Sequence, residues 1–338
     1  MDPLVSTKKK YGIIYFNMGG PDNLDEVRPF LYNLFSDSEI INLPWFLKPF
    51  QKRLAWLVAK FRSKATKKMY GLIGGRSITN EITLKLANGV TVELQNKGIE
   101  TTSVLAMRYA APRVYEAIEL LEKEDITTLV LFTQYPHYAK STTGSSYNDF
   151  YNHLNGSHLK DLETIVIEDW GNEVEYINWW VNGITDKVTN LKIPIDENLH
   201  IVFTSHGLPM KYIKAGETYP EKIESAKTEI VNKLGEIGTN SSIHLAYQSK
   251  AGPLPWLQPY THNKLEEISK LSPSAVIMVP LGFVSNNVET LYEIDILYAD
   301  LAESLGITNY IRVEVPDHNP LYTKEIANML YRYIEESN

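Results

Sequence analysis

Short runs of consecutive apolar residues alternate along this chain with longer amphipathic segments. Eight runs predict strands, in two sets of four: residues 11–18, 101–107, 127–132 and 162–167, then 200–204, 243–246, 275–279 and 310–313. Amphipathic segments predict helices at residues 22–36, 78–95, 113–124, 147–153, 174–189, 219–234, 262–269, 288–305 and 320–335. Runs that are apolar throughout are typical of strands covered on both faces. The alternation of strands and helices therefore predicts an α/β fold with parallel sheets.

The two sets of strands predict two domains. They are separated near residues 187–198, where Lys192-Ile193-Pro194-Ile195-Asp196 indicates a linker. We expect an N-terminal domain over residues 1–190, a C-terminal domain over 191–318, and a final helix over 319–338 that packs back on the first domain. The sequence shows no internal repeat and no low-complexity tract.

The segment at about residues 40–61 fits neither pattern. Its first half, Leu43-Pro44-Trp45-Phe46-Leu47-Lys48-Pro49-Phe50, contains two prolines and three aromatic residues, which argue against a long regular helix there. Basic residues are interleaved with the apolar ones throughout. One interpretation is a buried connection, because aromatic residues dominate protein cores. The other is an apolar lip with a basic rim, which suits a flat apolar acid or an anionic membrane surface.

Composition excludes several classes of site. The chain has 338 residues, 43% of them hydrophobic and 22% charged, which is typical of globular proteins with a sizeable core. It has no cysteine, so it contains no disulfide, thiolate zinc site, cysteine-ligated iron–sulfur cluster or cysteine nucleophile. With 33 basic and 41 acidic residues, its net charge of −8 argues against broad nucleic-acid binding.

The sequence predicts a cytoplasmic protein. No stretch approaches the ~18 consecutive apolar residues of a transmembrane helix. The lysines at positions 8–10 are not followed by the apolar region of a signal peptide.

Candidate chemistry lies where strands end, because open parallel sheets bind ligands at the carboxyl ends of their strands. After the first strand, Asn17-Met18-Gly19-Gly20-Pro21 allows a sharp turn or a close approach of the backbone to a ligand. It lacks the spacing of a dinucleotide-binding loop. After the third strand, residues 133–146 are rich in hydroxyl groups. These either cap the next helix or hold an anion such as a propionate.

The second set of strand ends carries titratable groups. His206 follows the fifth strand, and such a histidine is either structural or a proton acceptor. Glu289 and Glu293 follow the seventh strand and share a helix face, where they repel unless a cation or proton lies between them. Alternatively, Asn286 and Glu289 form a capping box. After the sixth strand, a proline-rich loop presents Trp256 as a stacking wall or a packed side chain.

Five of these stretches together resemble the ferrochelatase family, in that family's order and approximate spacing across nearly the whole chain. They are Asn17-Met18-Gly19-Gly20-Pro21, Gln134-Tyr135-Pro136 through Ser141-Thr142-Thr143-Gly144-Ser145, Ser205-His206-Gly207-Leu208-Pro209, Gln248-Ser249-Lys250 through Gly252-Pro253-Leu254-Pro255-Trp256, and Glu289-Thr290-Leu291. The resemblance implies two Rossmann-like domains, chelatase-like in architecture, with a porphyrin cleft between them. It also implies a lyase that inserts Fe²⁺ into protoporphyrin IX to form protohaem, the last step of haem biosynthesis.

The resemblance also implies roles for individual residues. His206 takes pyrrole protons or binds the incoming metal, Glu289 faces it as a second catalytic and metal-binding group, and Glu293 continues the acidic path. The porphyrin and its propionates are contacted by six residues: Met18, Arg62, Arg108, Tyr109, Ser141 and Trp256. Iron and porphyrin are substrates, and no cofactor is permanently bound. The segment at residues 40–61 resembles the family's apolar lip, which implies peripheral contact with the inner membrane face.

The chain departs from the family pattern in two places, the first of which lies on the proposed metal or proton path. The family usually has Ser-Asp-His or Ser-Glu-His where this chain has Ser285-Asn286-Asn287, so an acid and a second histidine are missing. Asparagine forms hydrogen bonds but does not titrate. Leu297 stands where some members carry another acid, and Gly74-Gly75-Arg76-Ser77 replaces the family's Gly-Gly-Ser-Pro.

Two alternatives stay open from the sequence. One is a chelatase of the same fold that loads cobalt or nickel into another tetrapyrrole, because metal choice is not written in the motifs. The other is a non-catalytic porphyrin- or haem-binding carrier that has lost its proton path at Asn286 and Asn287.

Overall fold

The computed structural model describes residues 9–41 and 43–337. Its strands form two four-stranded parallel sheets, with the orders β2-β1-β3-β4 and β6-β5-β7-β8. The strands are β1 Lys10–Asn17, β2 Glu100–Met107, β3 Thr128–Thr133, β4 Glu163–Ile167, β5 Leu199–His206, β6 Ser242–Gln248, β7 Ala275–Val279 and β8 Tyr310–Arg312. All eight predicted strands are confirmed. The predicted α/β class with parallel sheets is therefore confirmed as well.

Helices cover both sheets. They are α1 Val27–Ser36, α2 Gln51–Leu72, α3 Thr79–Asn96, α4 Val114–Leu121, α5 Ser145–Leu154, α6 Val174–Asn190, α7 Met210–Lys214, α8 Tyr219–Lys233, α9 Glu236–Asn240, α10 Thr261–Ser269, α11 Ala299–Ser304 and α12 Pro320–Glu336. Short 3₁₀ helices lie at Trp45–Phe50 and His158–Asp161. A π turn lies at Lys140–Gly144 and a π-helix at Glu289–Tyr298.

Central strands are buried on both faces, as their apolar runs predict. Ile13, Ile14 and Tyr15 of β1 are fully buried, and every residue of β7 is buried. Each such aliphatic side chain stabilises the fold by about 1.5–3 kcal/mol when removed from water. The core therefore fixes the strands rigidly. Because the strands of each sheet are parallel, their carboxyl ends lie at one edge of that sheet.

Two helices of the structure differ from the prediction, one in its first residue and the other in its helix type. The first begins at Val27 rather than at residue 22, because the Asn23 side chain accepts hydrogen bonds from the backbone of Asp25 and Glu26 and so holds a turn. The predicted helix over 288–305 is a π-helix followed by α11. Its hydrophobic pattern did not distinguish the two kinds of helix.

Among the described residues of the segment at 40–61, Ala55 and Ala59 are buried and the others are exposed or half-buried, so its interpretation as a buried connection is wrong. Trp45 is 83% exposed and Phe61 77% exposed, and Phe46 and Phe50 are also more than half exposed. We call these four residues the aromatic lip. Pro49 lies in the 3₁₀ helix, and the unpredicted α2 begins at Gln51, directly after it.

The C-terminal helix α12 contacts α3 and α6 of the first half. Arg332 of α12 pairs with Glu173 and with the buried Glu175, and Tyr333 donates a hydrogen bond of 2.9 Å to Glu173. The domain bounds at residues 190 and 318 stay a prediction. Within the described residues, every helix is too short or too polar to cross a membrane.

Candidate active site

The second sheet brings three titratable side chains to its carboxyl edge. His206 is the last residue of β5, while Glu289 and Glu293 lie on the π-helix that follows β7. Gly207 follows His206 where the chain passes close to β6. A Cβ atom at Gly207 would lie 3.1 Å from the carbonyl oxygen of Gln248, so the small residue permits this close approach.

His206 and Glu289 form a direct pair. His206 Nδ1 lies 2.9 Å from Glu289 Oε1, and their side chains are 39% and 25% exposed. With Glu289 ionised, this hydrogen bond requires the proton of a neutral imidazole on Nδ1, which leaves the lone pair on Nε2. Glu289 therefore fixes the tautomer of His206 and offsets the charge that forms when Nε2 takes a proton.

Burial lowers the pKa of His206, but the carboxylates of Glu289 and Glu293 outweigh burial. The net result is a pKa above the ordinary histidine value. His206 is therefore a stronger base at this edge than an isolated imidazole.

Glu293 is the second acid of the site. Its carboxylate accepts hydrogen bonds from Ser249 Oγ at 2.7 Å and from Gln248 Nε2 at 3.1 Å. Burial and the neighbouring Glu289 raise the pKa of Glu293 to about 7, against the opposing effects of Ser249, His206 and Gln248. Glu293 thus exchanges a proton near neutral pH, while Glu289 is occupied by His206.

Asn287 lies two residues before the first residue of the π-helix. Its Oδ1 accepts hydrogen bonds from the backbone nitrogens of Glu289 at 2.7 Å and Thr290 at 3.2 Å. The Glu289 carboxylate is directed to His206, so the interpretation of Asn286 and Glu289 as a capping box is wrong. π-Helical segments are rare and are frequently found at functional sites.

Trp256 lies beside His206. The two rings meet edge to face, with their centroids 6.1 Å apart and a 74° angle between their planes. The Trp256 Nε1 atom is buried and has no hydrogen-bond partner among the described residues. Trp256 therefore forms an aromatic wall next to the imidazole.

The first sheet presents Met18 at the corresponding edge, directly after β1. Met18 is half-buried and packs against a cluster that includes Tyr70 and Tyr109. Gly19, the next residue, has φ +72°, and a Cβ there would lie 2.9 Å from the Cβ atoms of Met107 and Ala110. Glycine is thus required for the turn that places Met18.

Arg108, directly after β2, sits in a network of acids. Its guanidinium lies 3.0 Å from the buried Asp37 and 3.4 Å from Asp149, and its Nε donates a 2.7 Å hydrogen bond to Ser145 Oγ. Asp37 also accepts hydrogen bonds from the hydroxyls of Tyr109, at 2.8 Å, and Ser145. The charge of Arg108 is therefore balanced within the protein.

The remaining residues predicted to contact the porphyrin differ in their exposure. Tyr109 is buried, and its hydroxyl is engaged by Asp37, so a contact through that hydroxyl requires this bond to break. Arg62 is exposed on α2, with its guanidinium 5.8 Å from the centre of the Phe35 ring. Ser141 is half-buried in the π turn.

Side chains of the first half also lie near the carboxylates of the second. Burial, followed by the charge of Glu289, raises the pKa of Tyr70. The pKa of Tyr135 is also raised, mainly by burial, with smaller contributions from charges that include Asp37 and Glu289. Val288 packs against the apolar cluster around Tyr109. The two sheet edges thus face a common region.

Several residues of the site were assigned no role from the sequence, although four of them, Tyr135, Ser145, Gln248 and Ser249, lie within the motifs that resemble the family. The whole set comprises Asp37, Tyr70, Tyr135, Ser145, Asp149, Gln248 and Ser249. Gln248 and Ser249 carried a signal, because Gln248 ends β6 at the same sheet edge as His206 and Ser249 directly follows it. Asp37 did not, since it follows a helix and meets Arg108 only through the tertiary fold.

Comparisons with known proteins agree on one family. The family model described as Ferrochelatase matches residues 10–333. A ferrochelatase of Prochlorococcus marinus strain MIT 9515 is 37% identical over 325 residues, covering 95% of this chain and 82% of that protein. A ferrochelatase of Trichodesmium erythraeum strain IMS101 is 38% identical over 332 residues, covering 96% and 83%.

Solved structures agree on the fold. SirB from Bacillus subtilis with Fe³⁺ has a TM-score of 0.56 at 10% identity, covering 97% of each chain. The sirohydrochlorin chelatase SirB from Bacillus subtilis subspecies spizizenii, in complex with cobalt, has a TM-score of 0.54 at 8% identity, covering 97% of this chain and 96% of that one. At these identities the likeness shows a chelatase-like fold. The match over residues 10–333 and the identity to named relatives show more: the chain belongs to the ferrochelatase family, metal chelatases of haem synthesis.

Proposed function

We propose that this protein inserts Fe²⁺ into protoporphyrin IX, with His206 as the acceptor of the pyrrole protons. Family membership supports the reaction, and the 2.9 Å pair of His206 and Glu289 supports the assignment of the base. Fe²⁺ and the porphyrin are substrates in this account. With no cysteine in the chain, a cysteine-ligated iron–sulfur cluster has no ligands here.

The proton chemistry follows from the tautomer. A free-base porphyrin has two inner N–H protons that must leave as the metal enters. The Nε2 lone pair of His206 accepts one of them, and the Glu289 carboxylate stabilises the resulting imidazolium through Nδ1–H. A positioned base of this kind contributes about 10²–10⁴-fold to the rate.

Glu293 provides the next acceptor. Because the pKa of Glu293 is raised to about 7, its carboxyl group gains and releases a proton without a large free-energy change near neutral pH. Ser249 and Gln248 hold this carboxyl group in place. We propose that protons leave the His206 pair by way of Glu293. The imidazole and carboxylates also offer the incoming Fe²⁺ nitrogen and oxygen ligands, which bind weakly enough to release it.

The macrocycle is proposed to lie between the two sheet edges, in a cleft between two domains divided near residue 190. Met18 and Trp256 then press on its faces from opposite halves. Bending the ring exposes nitrogen lone pairs on one face, and binding energy at the rim supplies the strain. Arg62, Arg108, Tyr109 and Ser141 are proposed as contacts to the rim and the propionates. Because Asp37 balances the charge of Arg108, this arginine is proposed to orient the propionates more than it attracts them by charge.

The aromatic lip is proposed as the porphyrin entrance and as a peripheral contact with the inner membrane face of a cytoplasmic protein. Its exposed rings lie among cations of α2, including Arg53, which lies 6.0 Å from the centre of the Phe50 ring. Aromatic residues and cations together favour the interface of an anionic bilayer. Sedimentation with anionic vesicles, compared with neutral vesicles, tests the membrane contact directly.

An anaerobic absorbance assay tests the function, with protoporphyrin IX and Fe²⁺, Zn²⁺ or Co²⁺, and with a second tetrapyrrole and Co²⁺ or Ni²⁺, in separate reactions. Loss of the free-base bands over many turnovers with Fe²⁺ is the expected result. Turnover with Co²⁺ or Ni²⁺ and another tetrapyrrole, but none with Fe²⁺ and protoporphyrin IX, would instead favour the cobalt or nickel chelatase. Stoichiometric binding of porphyrin without turnover would favour a carrier.

A further inference from the structure

Asn286 occupies the position where an acid is usual in the family, and the structure places a carboxylate directly against it. Asp317 Oδ1 accepts a hydrogen bond of 2.6 Å from the Asn286 backbone nitrogen. Asp317 Oδ2 accepts a second one, also of 2.6 Å, from Asn286 Nδ2. Both oxygens of one carboxylate therefore hold one asparagine, an arrangement that fixes its orientation as well as its position.

Asp317 reaches this position from a distant part of the sequence, between β8 and α12. Its backbone has φ +52°, a left-handed conformation that is uncommon for residues other than glycine. Its backbone nitrogen donates a 2.9 Å hydrogen bond to the carbonyl oxygen of Val284. A left-handed conformation is strained and persists where surrounding contacts over-determine it. Among the described residues, the hydrogen bonds of Asp317 lead to Val284 and Asn286, in the segment before the π-helix.

The same feature occurs on the other side of the π-helix. Ser249 is also left-handed, with φ +64°, and its hydroxyl holds Glu293. Lys192 and Ser272 are the other such residues in the described part of the chain. Two of these four strained positions therefore brace the segment that carries Glu289 and Glu293.

Hydrogen bonds connect Asn286 to the start of the π-helix. Thr290 Oγ1 lies 3.2 Å from Asn286 Oδ1, and the backbone nitrogen of Asn287 donates to Thr290 Oγ1 at 3.0 Å. Asn287 Oδ1 in turn caps the backbone nitrogen of Glu289 at 2.7 Å. A shift of Asn286 is thus passed through Thr290 and Asn287 to the backbone of Glu289.

We propose that Asp317 is a positioning residue, which supplies from another element the carboxylate that position 286 lacks and so holds Glu289 against His206. The part of this inference that concerns turnover rests on the proposed function. The part that concerns the hold on the π-helix does not. Asp317 touches Asn286 and not the reacting groups, so its effect on chemistry passes through the 285–290 segment.

The charge environment of Asp317 makes Asn286 its main partner. Burial raises the pKa of Asp317, and the two hydrogen bonds from Asn286 oppose burial, followed by the charges of His318 and Arg312. Arg312 is itself paired with Asp295 at 2.6 Å. Replacing Asn286 or Asp317 alone therefore disturbs both groups.

A carboxylate–amide swap tests the inference. Asp317→Asn removes the charge that holds Asn286, and Asn286→Asp places two carboxylates against each other. The double variant Asn286→Asp/Asp317→Asn restores one carboxylate and one amide, in the order typical of the family. Glu314→Gln, which removes an exposed carboxylate from the same segment, is the matched control. Each variant is measured for iron-insertion kcat, porphyrin Kd and hydrogen exchange of residues 287–293.

We expect each single variant to lower kcat by about tenfold, because loss of the charge-assisted hydrogen bonds between Asp317 and Asn286 lets the backbone of Glu289 shift relative to His206. Porphyrin Kd should stay within about twofold, exchange of residues 287–293 should accelerate, and the double variant should recover both kcat and protection. Glu314→Gln should match the wild type.

Unchanged exchange in Asp317→Asn would overturn the inference, as would accelerated exchange with unchanged kcat, which would make the contact merely structural. If the wild type inserts no iron, the proposed function fails, and exchange with its rescue by the double variant alone decides whether Asp317 holds this segment.

Discussion

The two halves of the molecule use the same sheet topology for different electrostatic purposes. Each sheet has its first and third strands in the centre, and in each half a π-helical segment follows the third strand. At the first edge, Arg108 is balanced by Asp37 and Asp149. At the second edge, His206 pairs with Glu289 and is also influenced by the charge of Glu293, whose pKa is raised to about 7.

The difference lies in which groups can exchange protons. Arginine stays charged at all working pH values, so the first edge holds a fixed, internally balanced charge. Histidine and a glutamate of raised pKa change charge near neutral pH, so the second edge holds a proton that moves. The same sheet topology thus holds a fixed charge at one edge and groups that titrate near neutral pH at the other.

The largest expected effect is the loss of the imidazole. His206→Ala should lower iron-insertion kcat by about 10²–10⁴-fold, because it removes the base, while porphyrin Kd stays nearly unchanged. Steady-state absorbance and porphyrin fluorescence measure the two quantities. His158→Ala, at a 67% exposed side chain, is the control and should match the wild type. Retained kcat in His206→Ala would remove the base from the second edge.

Asp37→Asn tests the fixed charge of the first edge. It leaves Arg108, whose side chain is 18% exposed, without its closest acid, and should lower the free energy of unfolding by about 3 kcal/mol. Denaturant titration measures the change. Glu39→Gln removes a looser pair with Lys140 and should cost below about 1 kcal/mol. Equal, small losses in both variants would mean that Asp37 does not stabilise this half.

Glu289→Gln separates chemistry from structure at the second edge. We expect kcat to fall by about tenfold or more, because an amide does not stabilise the imidazolium, and porphyrin Kd to change by less than about twofold. Glu303→Gln, on the exposed face of α11, serves as the control. Equal losses in kcat and affinity would mean that Glu289 acts only as part of the structure.

Glu293 should leave a signature in the pH dependence of stability. Its pKa of about 7 in the folded protein exceeds the value of 4.5 in an exposed glutamate, so between these values the folded state holds a proton that the unfolded state has released. The contribution of Glu293 to the free energy of unfolding therefore decreases as pH rises from about 4.5 to about 7. Denaturant titrations of the wild type and Glu293→Gln across this range should diverge accordingly. Parallel curves would contradict the raised pKa.

The smallest effect is expected at the aromatic lip. Trp45→Ser with Phe46→Ser should raise the KM for porphyrin by about fivefold and leave kcat unchanged, since partial loss of an aromatic contact is worth about 1 kcal/mol. Stability should change little, because both side chains are exposed. Leu120→Ser, at an exposed position of α4, is the control. An unchanged KM would exclude the lip from porphyrin capture.

Part of the fold and of the site was predictable from the sequence. Apolar runs predicted every strand, and position at a strand end selected His206 and Glu289, because parallel strands gather their carboxyl ends at one edge. The partners of these residues were not predictable. Asp37 and Asp317 meet Arg108 and Asn286 only through tertiary structure, and neither belongs to a local pattern. The π-helix and α2 were missed because hydrophobic spacing does not distinguish helix types and because Pro49 masked the start of α2.

The most direct test of this account is an NMR titration of the His206 side chain in the wild type and in Glu289→Gln, with His206→Ala assigning the resonance. The account predicts that the pKa of His206 in the wild type lies above its ordinary value of about 6.5 and falls when Glu289 is replaced. A wild-type pKa of His206 at or below that value, or one that Glu289→Gln leaves unchanged, would contradict the claim that the carboxylates of the second edge stabilise the protonated imidazole.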